Sequence, residues 1–286
     1  MKKIIMILGL LCGFNVYSSV NSFTANDYQE VANIIKINEI KNSPSTLVVF
    51  DIDDTLLTSS QELGSVGWFD WQSSLLKNNP NSSFLFANNI MGLLKIQNLL
   101  FHMVDAKLTD EFVLKFINGI AKKSKLLVLT ARNPLFENVT TKQFQKVGYI
   151  SQAGENIFQT YGISFDGYRS NIITPFVCTN LKRHAVFSHG IFYASGQNKG
   201  MALKCILEQS EQTFKNIIFI DDSYKNVEDV ANAFELSDVN VFAIHYTHEN
   251  NKEEKIKTSA MLQTKVFMQW QLIKNSIHTA IANSDI

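Results

Sequence analysis

Leu47-Val-Val-Phe-Asp51-Ile-Asp53-Asp54-Thr55-Leu-Leu57 decides the fold of this 286-residue chain. Its apolar first half predicts a buried parallel strand, and the acidic residues that follow mark the carboxyl end of that strand. Open α/β sheets place their chemistry at such strand ends. Three aspartates crowded there repel one another unless a cation or a reaction requires them, although a solvated turn after the strand is the simpler alternative.

Three downstream segments place reactive side chains at strand ends or helix starts in the same way. Leu126-Leu-Val-Leu-Thr130-Ala-Arg132 is an apolar strand that ends in a hydroxyl, with an arginine two residues on. Gly196-Gln-Asn-Lys199-Gly200 follows the apolar run Ile191–Ala194 and precedes a helical pattern, which puts the lysine near the positive end of a helix dipole. Ile217-Ile-Phe-Ile-Asp221-Asp222-Ser223 is a third strand, and it ends in paired carboxylates. Each segment alone is weak, but the ordered set argues against a simple turn.

Together these motifs resemble those of the haloacid dehalogenase (HAD) superfamily of phosphohydrolases, over roughly Leu47–Leu57 and Leu126–Asn232. Through Thr130-Ala-Arg132 and Gly196-Gln-Asn-Lys-Gly200 the chain is similar in particular to secreted or host-directed bacterial HAD-like proteins of a family of unknown function. The resemblance implies an α/β fold, with a Rossmann-like core of a parallel sheet flanked by helices. It also implies a helical cap inserted after the first motif strand.

The resemblance also implies a role for each reactive residue. Asp51 would be the nucleophile that carries an aspartyl-phosphate intermediate, and Asp53 would be the general acid and base. Thr130 would hydrogen-bond a phosphoryl oxygen, and Lys199 would hold nucleophile and phosphate by charge. An aspartate at the position of Asp53 favours a phosphatase, or less strongly a phosphomutase.

Magnesium is the implied cofactor, because it is a hard cation that prefers oxygen ligands. The implied ligands are Asp51, the backbone carbonyl of Asp53, and Asp221 and Asp222 from the third strand. Without a cation, two carboxylate clusters that face one phosphate make substrate binding unfavourable.

Several polar residues beside these motifs keep two interpretations each. Arg132 either clamps a second anionic group of the substrate or forms a salt bridge to a core acid. Asp54 is a helper or a solvent-facing residue. Ser223 and Asn226 either support the metal site or cap the following helix, and capping is favoured.

A long insertion separates the first two motif strands. Beyond Leu57 the core pattern stops for about seventy residues, far more than the usual loop of about 2–6 residues in α/β units. By the resemblance, this insertion is a cap at 58–107 on a core of residues 23–57 and 108–286, and caps of this kind close over the substrate and exclude water. A possible small second insert spans residues 148–190. Trp68, Phe69 and Trp71 line a pocket for an aromatic or nucleoside leaving group or form the cap's own core, and the core is favoured.

The last part of the chain carries three structural expectations. Glu249–Glu254 is typical of a solvated loop. Thr258–Ala282 predicts a long amphipathic helix that packs on the core, with a partner surface as the lesser alternative. His245 and His248 follow a predicted strand at Asn240–Ile244, and a structural role is favoured over metal binding because no acid or thiol completes a site.

Residues 1–22 have the form of a secretory signal peptide. Lys2 and Lys3 precede an apolar run at Ile4–Val16, and small residues follow at Ser18–Ser22. The apolar run is shorter than the roughly 18 residues of a spanning helix. We therefore expect cleavage near Ser18–Ser22, a single HAD-like domain at residues 23–286, and export to the periplasm or the medium.

Composition limits the partners. The 26 basic and 26 acidic side chains balance, so there is no basic footprint for nucleic acid. No second apolar stretch is long enough to span a membrane. Cys178 and Cys205 could pair in an oxidising compartment, a question that the sequence leaves open.

The expected substrate is a small phosphorylated compound or a phosphoprotein. The alternative functions are a binding or effector protein with little turnover, or a phosphotransferase.

Overall fold

The computed structural model describes residues 19–38, 40, 43–165, 172–173, 176–210 and 212–282. Most of the expected signal peptide, residues 1–18, lies outside these ranges. Within them, the main sheet has eight strands. Their order is β1 (Val20–Ala25), β10 (Asn240–Tyr246), β9 (Asn216–Asp221), β2 (Thr46–Phe50), β5 (Lys125–Thr130), β8 (Ile191–Tyr193), β7 (Val186–Ser188) and β6 (Ile172–Ile173). Neighbouring strands from β1 to β8 run parallel, and β7 and β6 are antiparallel additions at one edge.

Helices cover both faces of this sheet, because side chains on each central strand alternate between two apolar clusters. In β2, Val48 and Phe50 belong to one cluster, and Leu47 and Val49 belong to the other. A strand buried on both faces is characteristic of parallel sheets. The covering helices are α1 (Tyr28–Ile37), α4 (Val113–Ala121), α5 (Glu137–Val147), α6 (Ile157–Thr160), α7 (Lys199–Ser210) and α8 (Tyr224–Phe234). The predicted α/β fold class, a mostly parallel sheet flanked by helices, is confirmed.

Strand β10 is two residues longer than predicted, so His245 lies inside it. The ring of His245 contacts the carbonyl of Asp222 through Nε2 at 2.9 Å. His248 contacts the carbonyl of Asn26 through Nδ1 at 2.8 Å. Both histidines therefore hydrogen-bond the backbone, in line with the structural interpretation.

The insertion after β2 begins and ends in a short antiparallel stem. Strand β3 (Leu57–Ser59) pairs with β4 (Ala106–Leu108), and Leu57 lies opposite Leu108. Between them lie α2 (Val66–Asn78) and α3 (Ile90–Met103). Asn89 begins α3 by accepting a hydrogen bond from the Gly92 amide at 2.9 Å, the usual role of an N-cap side chain.

Two expectations for the last part of the chain are wrong. Helix α9 (Asn250–Thr258) occupies the segment that was expected to be a loop. Helix α10 (Ala260–Ala282) packs with α9 on the cap rather than on the core. Ile256 and Val266 join the buried cluster of the cap, and Trp270 stacks on Phe86 with ring centroids 5.4 Å apart. The cap is therefore built from two distant segments of the chain.

Two further segments, residues 19–25 and the described part of 148–190, bear on the predicted domain bounds. Strand β1 begins at Val20, inside the expected signal peptide, and the Ser19 amide bonds the side chain of Asn240 at 3.2 Å. A chain that began at Phe23 would lose half of this strand. Much of the described part of 148–190 extends the core, through α6, β6 and β7, and a disulfide joins Cys178 to Cys205 in α7. Among the described helices, none combines the length and the apolarity that crossing a membrane requires.

Candidate active site

Asp51 and Lys199 form a buried ion pair at the carboxyl edge of the sheet. Asp51 follows β2, and its amide bonds the Ile220 carbonyl of neighbouring β9 at 3.0 Å. Lys199 opens α7, and its Nζ donates to Asp51 Oδ1 at 2.5 Å and to Asp221 Oδ2 at 2.6 Å. All three side chains are buried. Three motifs that lie far apart in the sequence therefore meet at one ammonium group.

Burial and neighbouring charges set the protonation of this pair. Burial raises the pKa of the Asp51 carboxyl to about 7; Lys199 opposes the rise, and the charges of Asp221 and Asp53 add to it. Burial lowers the pKa of Lys199, but the charges of Asp221 and Asp51 outweigh it and hold that pKa above its usual value. Lys199 is therefore a permanent cation between two carboxylates.

Asp222 completes a cluster of oxygen donors with Asp51 and Asp221. One carboxylate oxygen from each residue lies within 4.8 Å of the others. Asp221 is oriented by the Ser223 amide and by Asn226 Nδ2, each 2.9 Å from its Oδ1. The favoured expectation that Ser223 and Asn226 cap the following helix is wrong. The Ser223 side chain makes no capping bond, and Asn226 supports the acid cluster.

The chemistry of the cluster fits a hard divalent cation. Its donors are all carboxylate oxygens, the ligands that magnesium and calcium prefer. Among the described residues, Lys199 and Arg132 are the cations that pair with Asp51, Asp53 and Asp221, while Asp222 adds a further acid. A phosphate dianion added to such a site needs more positive charge than these two cations supply.

Arg132 forms a salt bridge with Asp53, in line with the second of its two interpretations. Its Nε donates to Asp53 Oδ2 at 2.9 Å and its Nη2 to Oδ1 at 2.8 Å. Its Nη1 donates to Thr140 and to Gln143, both at 2.8 Å, and the guanidinium carbon lies 4.5 Å from the ring centroid of Phe101. Four of the five N–H donors of Arg132 are thus engaged by the protein, and two of them hold the expected general acid.

Thr130 lies at the expected strand end but is fully buried. Its Oγ1 accepts a hydrogen bond from the Arg132 amide at 3.1 Å, and its carbonyl accepts one from Ala194 at 2.9 Å. A threonine hydroxyl that accepts a bond still has one proton to donate. Thr130 therefore shapes the turn that carries Arg132.

Thr55 is a site residue that the sequence did not reveal. Its Oγ1 accepts from the Asp222 amide at 3.0 Å and lies 3.4 Å from Asp222 Oδ1, which ties the loop after β2 to the loop after β9. Its carbonyl accepts from the Thr109 hydroxyl at 2.7 Å. A threonine directly after an acidic run has no sequence signal that separates it from an ordinary turn. The backbone of Asp54 adopts the left-handed conformation, with φ 54°. Its side chain is buried, so the interpretation of Asp54 as a solvent-facing residue is wrong.

An open cleft of about 630 Å³ rises from these acids. Asp51, Asp53 and Asp222 lie at its floor, and residues of α2 and α3 form the cap side. Phe69 lines this cleft, whereas Trp68 and Trp71 are buried in the cap's own core. Of the three aromatic residues, Phe69 therefore fits the expected role in a pocket, and the two tryptophans fit the expected role in the core of the cap. The other lining residues are Val66, Asp70, Ile90, Met91, Leu94, Gln97, Ala131, Arg132, Asn133, Pro134, Phe136, Arg183, His184, Ser195 and Gly196.

A protein-family model described as protein of unknown function, DUF2608, matches residues 24–283. The chain belongs to this family. Two similar solved structures are of a HAD family enzyme from Bacteroides thetaiotaomicron. Its magnesium complex is 11% identical, covers 71% of this chain and 93% of that one, and has a TM-score of 0.38. A variant with an aspartate replaced by alanine, in complex with magnesium and inorganic phosphate, is 10% identical, covers 69% and 92%, and has a TM-score of 0.34. The sequence matches no curated protein.

In this DUF2608 protein, three residues of the motif Gly196–Gly200 explain how Lys199 is positioned. Gln197 bonds the backbone at 182, 183 and 194, which joins two loops at the mouth of the cleft. Asn198 accepts from the Met201 amide at 2.9 Å and so begins α7. At Gly200 a Cβ would lie 2.1 Å from the carbonyl oxygen of Asp229, so only glycine allows α7 to approach α8 this closely. The motif fixes where Lys199 enters the site.

Proposed function

We propose that this DUF2608 protein is a magnesium-dependent phosphomonoesterase that acts through Asp51. The observation that carries the proposal is the buried Lys199 between Asp51 and Asp221 at the floor of an open cleft. Burying such charges has a large desolvation cost, and apolar residues of similar volume would stabilise a purely structural site as well. Perturbed, paired charges at the base of a cleft are instead typical of catalytic sites.

The reaction takes two steps. In the first, a carboxylate oxygen of Asp51 attacks the phosphorus, the bond to the ester oxygen breaks, and Asp53 gives that oxygen a proton. In the second, water attacks the phosphorus of the aspartyl-phosphate and gives a proton to Asp53. The bond between Asp51 and phosphorus breaks, and inorganic phosphate leaves. Lys199 stabilises the negative charge beside Asp51 throughout.

Asp53 and Arg132 must separate in part during this cycle. In the structure both oxygens of Asp53 accept from the guanidinium, which is the arrangement of an ionised carboxylate. A proton on either oxygen weakens the bond that this oxygen accepts. Asp53 lines the cleft, so its protonated side chain can turn toward the ester oxygen while Arg132 stays held by Thr140 and Gln143.

Asp51, Asp221, Asp222 and the backbone carbonyl of Asp53 would hold the magnesium ion. The ion would neutralise charge on the phosphoryl oxygens. Asp221 also accepts from Lys199, Ser223 and Asn226, so its main contribution is to keep the cluster in place.

We propose in addition that the protein is exported. The Cys178–Cys205 disulfide supports this location, because disulfides persist mainly in oxidising compartments. Cleavage just before Ser19 would leave β1 whole, whereas cleavage before Phe23 would not. Mass spectrometry of the protein recovered from the periplasm and from the medium tests both points, and a cytoplasmic, uncleaved chain would contradict them.

The test of the activity is hydrolysis of p-nitrophenyl phosphate, with magnesium and with a chelator, by the wild-type protein and by Asp51→Asn. We expect the substitution to reduce kcat by on the order of a thousandfold or more, because it removes the nucleophile. Asp229→Asn is the matched control, since Asp229 lies nearby in α8 but pairs with Lys225. Circular dichroism checks that both variants fold, and full activity in Asp51→Asn would refute the mechanism.

A further inference from the structure

The cleft is much larger than a phosphoryl group. Its volume of about 630 Å³ falls in the range of about 300–1,000 Å³ that is typical of sites for drug-sized ligands. The residues that would engage the phosphate, Asp51 and Asp53 with Lys199 behind them, occupy only its floor. The remaining walls therefore face the leaving group of the substrate.

The cap side of the cleft is apolar. Val66 and Phe69 of α2 and Ile90, Met91 and Leu94 of α3 line it. Ile90 and Met91 are 50% and 48% exposed. Exposed apolar side chains grouped at the mouth of a cleft are typical of a surface that a ligand covers.

The opposite side of the mouth presents a cation that the catalytic machinery does not use. Arg132, the other arginine of the cleft, is occupied by Asp53, Thr140 and Gln143. Arg183 is exposed and contacts the Gly196 carbonyl through Nη2. Its guanidinium has five donors in a fork that suits carboxylate and phosphate groups.

The loop that carries Arg183 is exposed but firmly attached. Gln197 accepts from the amides of residues 182 and 183 and donates to the carbonyl of residue 183. Ser195 donates to the carbonyl of His184 at 2.5 Å. The Cys178–Cys205 disulfide ties the start of the same segment to α7. Attachments of this kind lower the entropy that binding must remove, so they favour affinity for a ligand at Arg183.

We propose that the substrate is a phosphomonoester of an aryl or other apolar alcohol that also carries a second anionic group. The phosphate lies at Asp51, the apolar part lies against Phe69 and Met91, and the second anion pairs with Arg183. This inference rests on the proposed function for the position of the phosphate, but it concerns recognition and can be measured by binding alone.

Isothermal titration calorimetry of the magnesium-loaded protein tests it with phosphonates, which are not hydrolysed. The probes are methylphosphonate, phenylphosphonate, and 3- and 4-phosphonobenzoate. We expect phenylphosphonate to bind about tenfold more tightly than methylphosphonate, because the ring is buried against the cap. We expect at least one phosphonobenzoate to gain about a further fivefold from an ion pair with Arg183.

The chain offers matched controls for both contacts. Arg183→Met should remove the gain from the carboxylate, whereas Lys182→Met, an exposed neighbour outside the cleft lining, should keep it. Met91→Gln should reduce the affinity for phenylphosphonate by about threefold and leave methylphosphonate unchanged. Met103→Gln should change neither, because Met103 of the same helix is 51% exposed but does not line the cleft.

The outcomes separate this inference from the proposed function. If p-nitrophenyl phosphate is hydrolysed through Asp51 but the phosphonates bind with equal affinity, the phosphatase stands and the substrate class is wrong. If the affinity ratios hold but no ester is hydrolysed, the ligand class stands for a binding protein. Equal effects of Arg183→Met and Lys182→Met, or no phosphonate binding at all, would overturn the inference.

Discussion

Replacing Arg132 by methionine tests whether this residue serves the protein or the substrate. The change removes a bidentate ion pair with Asp53 and two further hydrogen bonds, to Thr140 and Gln143, from a side chain that is 3% exposed. Breaking one partner of a buried ion pair costs about 3–5 kcal/mol. The Asp53 side chain is 29% exposed, so water compensates part of the loss and the lower end applies. We expect the free energy of unfolding to fall by about 3 kcal/mol in urea titrations without ligand.

A double-mutant cycle with Asp53→Asn isolates the contact. We expect a coupling of about 1.5 kcal/mol or more between the two positions in stability, because each single change leaves the other side chain without its full partner. Arg132→Lys should recover little, since an ammonium group cannot form the same fork. Coupling near zero, together with a raised KM and unchanged stability for Arg132→Met, would show that the arginine binds substrate and would refute the argument.

Three further changes probe the scaffold around the site. Gly200→Ala should destabilise the protein by about 3 kcal/mol in urea unfolding because its Cβ would overlap the backbone of α8. Gly119→Ala has open space and should stabilise by about 0.5–1 kcal/mol instead; equal effects would contradict the packing. Replacing both Cys178 and Cys205 by serine should lower the free energy of unfolding by up to about 3 kcal/mol, and reduction of the wild type should match it. Magnesium should raise the Tm of the wild type in calorimetry, and Asp222→Asn should lose most of this shift; an unchanged shift would remove Asp222 from the metal site.

The strand ends that carry the chemistry were predictable because their signal is local. An apolar run that stops at an acidic or hydroxyl residue marks the carboxyl edge of a parallel sheet, and parallel strands bring those ends together whatever their distance in sequence. This is why Asp51, Thr130, Lys199 and Asp221 were placed correctly on their elements.

The parts that were missed depend on tertiary contacts. Arg132 and Asp53 are 79 residues apart, and a helix's apolar stripe does not say which surface it covers. The apolar stripe of α10 is therefore equally compatible with packing on the core and with packing on the cap. Helix α9 was missed because its polar composition suits an exposed helix as well as a loop. Ile256 is the residue by which α9 joins the buried cluster of the cap. The pairing of Cys178 with Cys205 likewise depends on how the segment before Arg183 folds back on α7.

The composition of the cap from residues 57–108 and 250–282 has a consequence for biosynthesis. On the ribosome, α2 and α3 emerge long before α9 and α10, so the aromatic surface around Trp68 stays uncovered while the rest of the chain is made. Strands β9 and β10, which complete the acid cluster and hold β1, also arrive late. Contacts between such distant segments slow folding and expose apolar surface in the meantime. The apolar surface of the cap therefore stays exposed until α9 and α10 are available to cover it, and the acid cluster of the candidate site is complete only once β9 has joined β2 in the sheet.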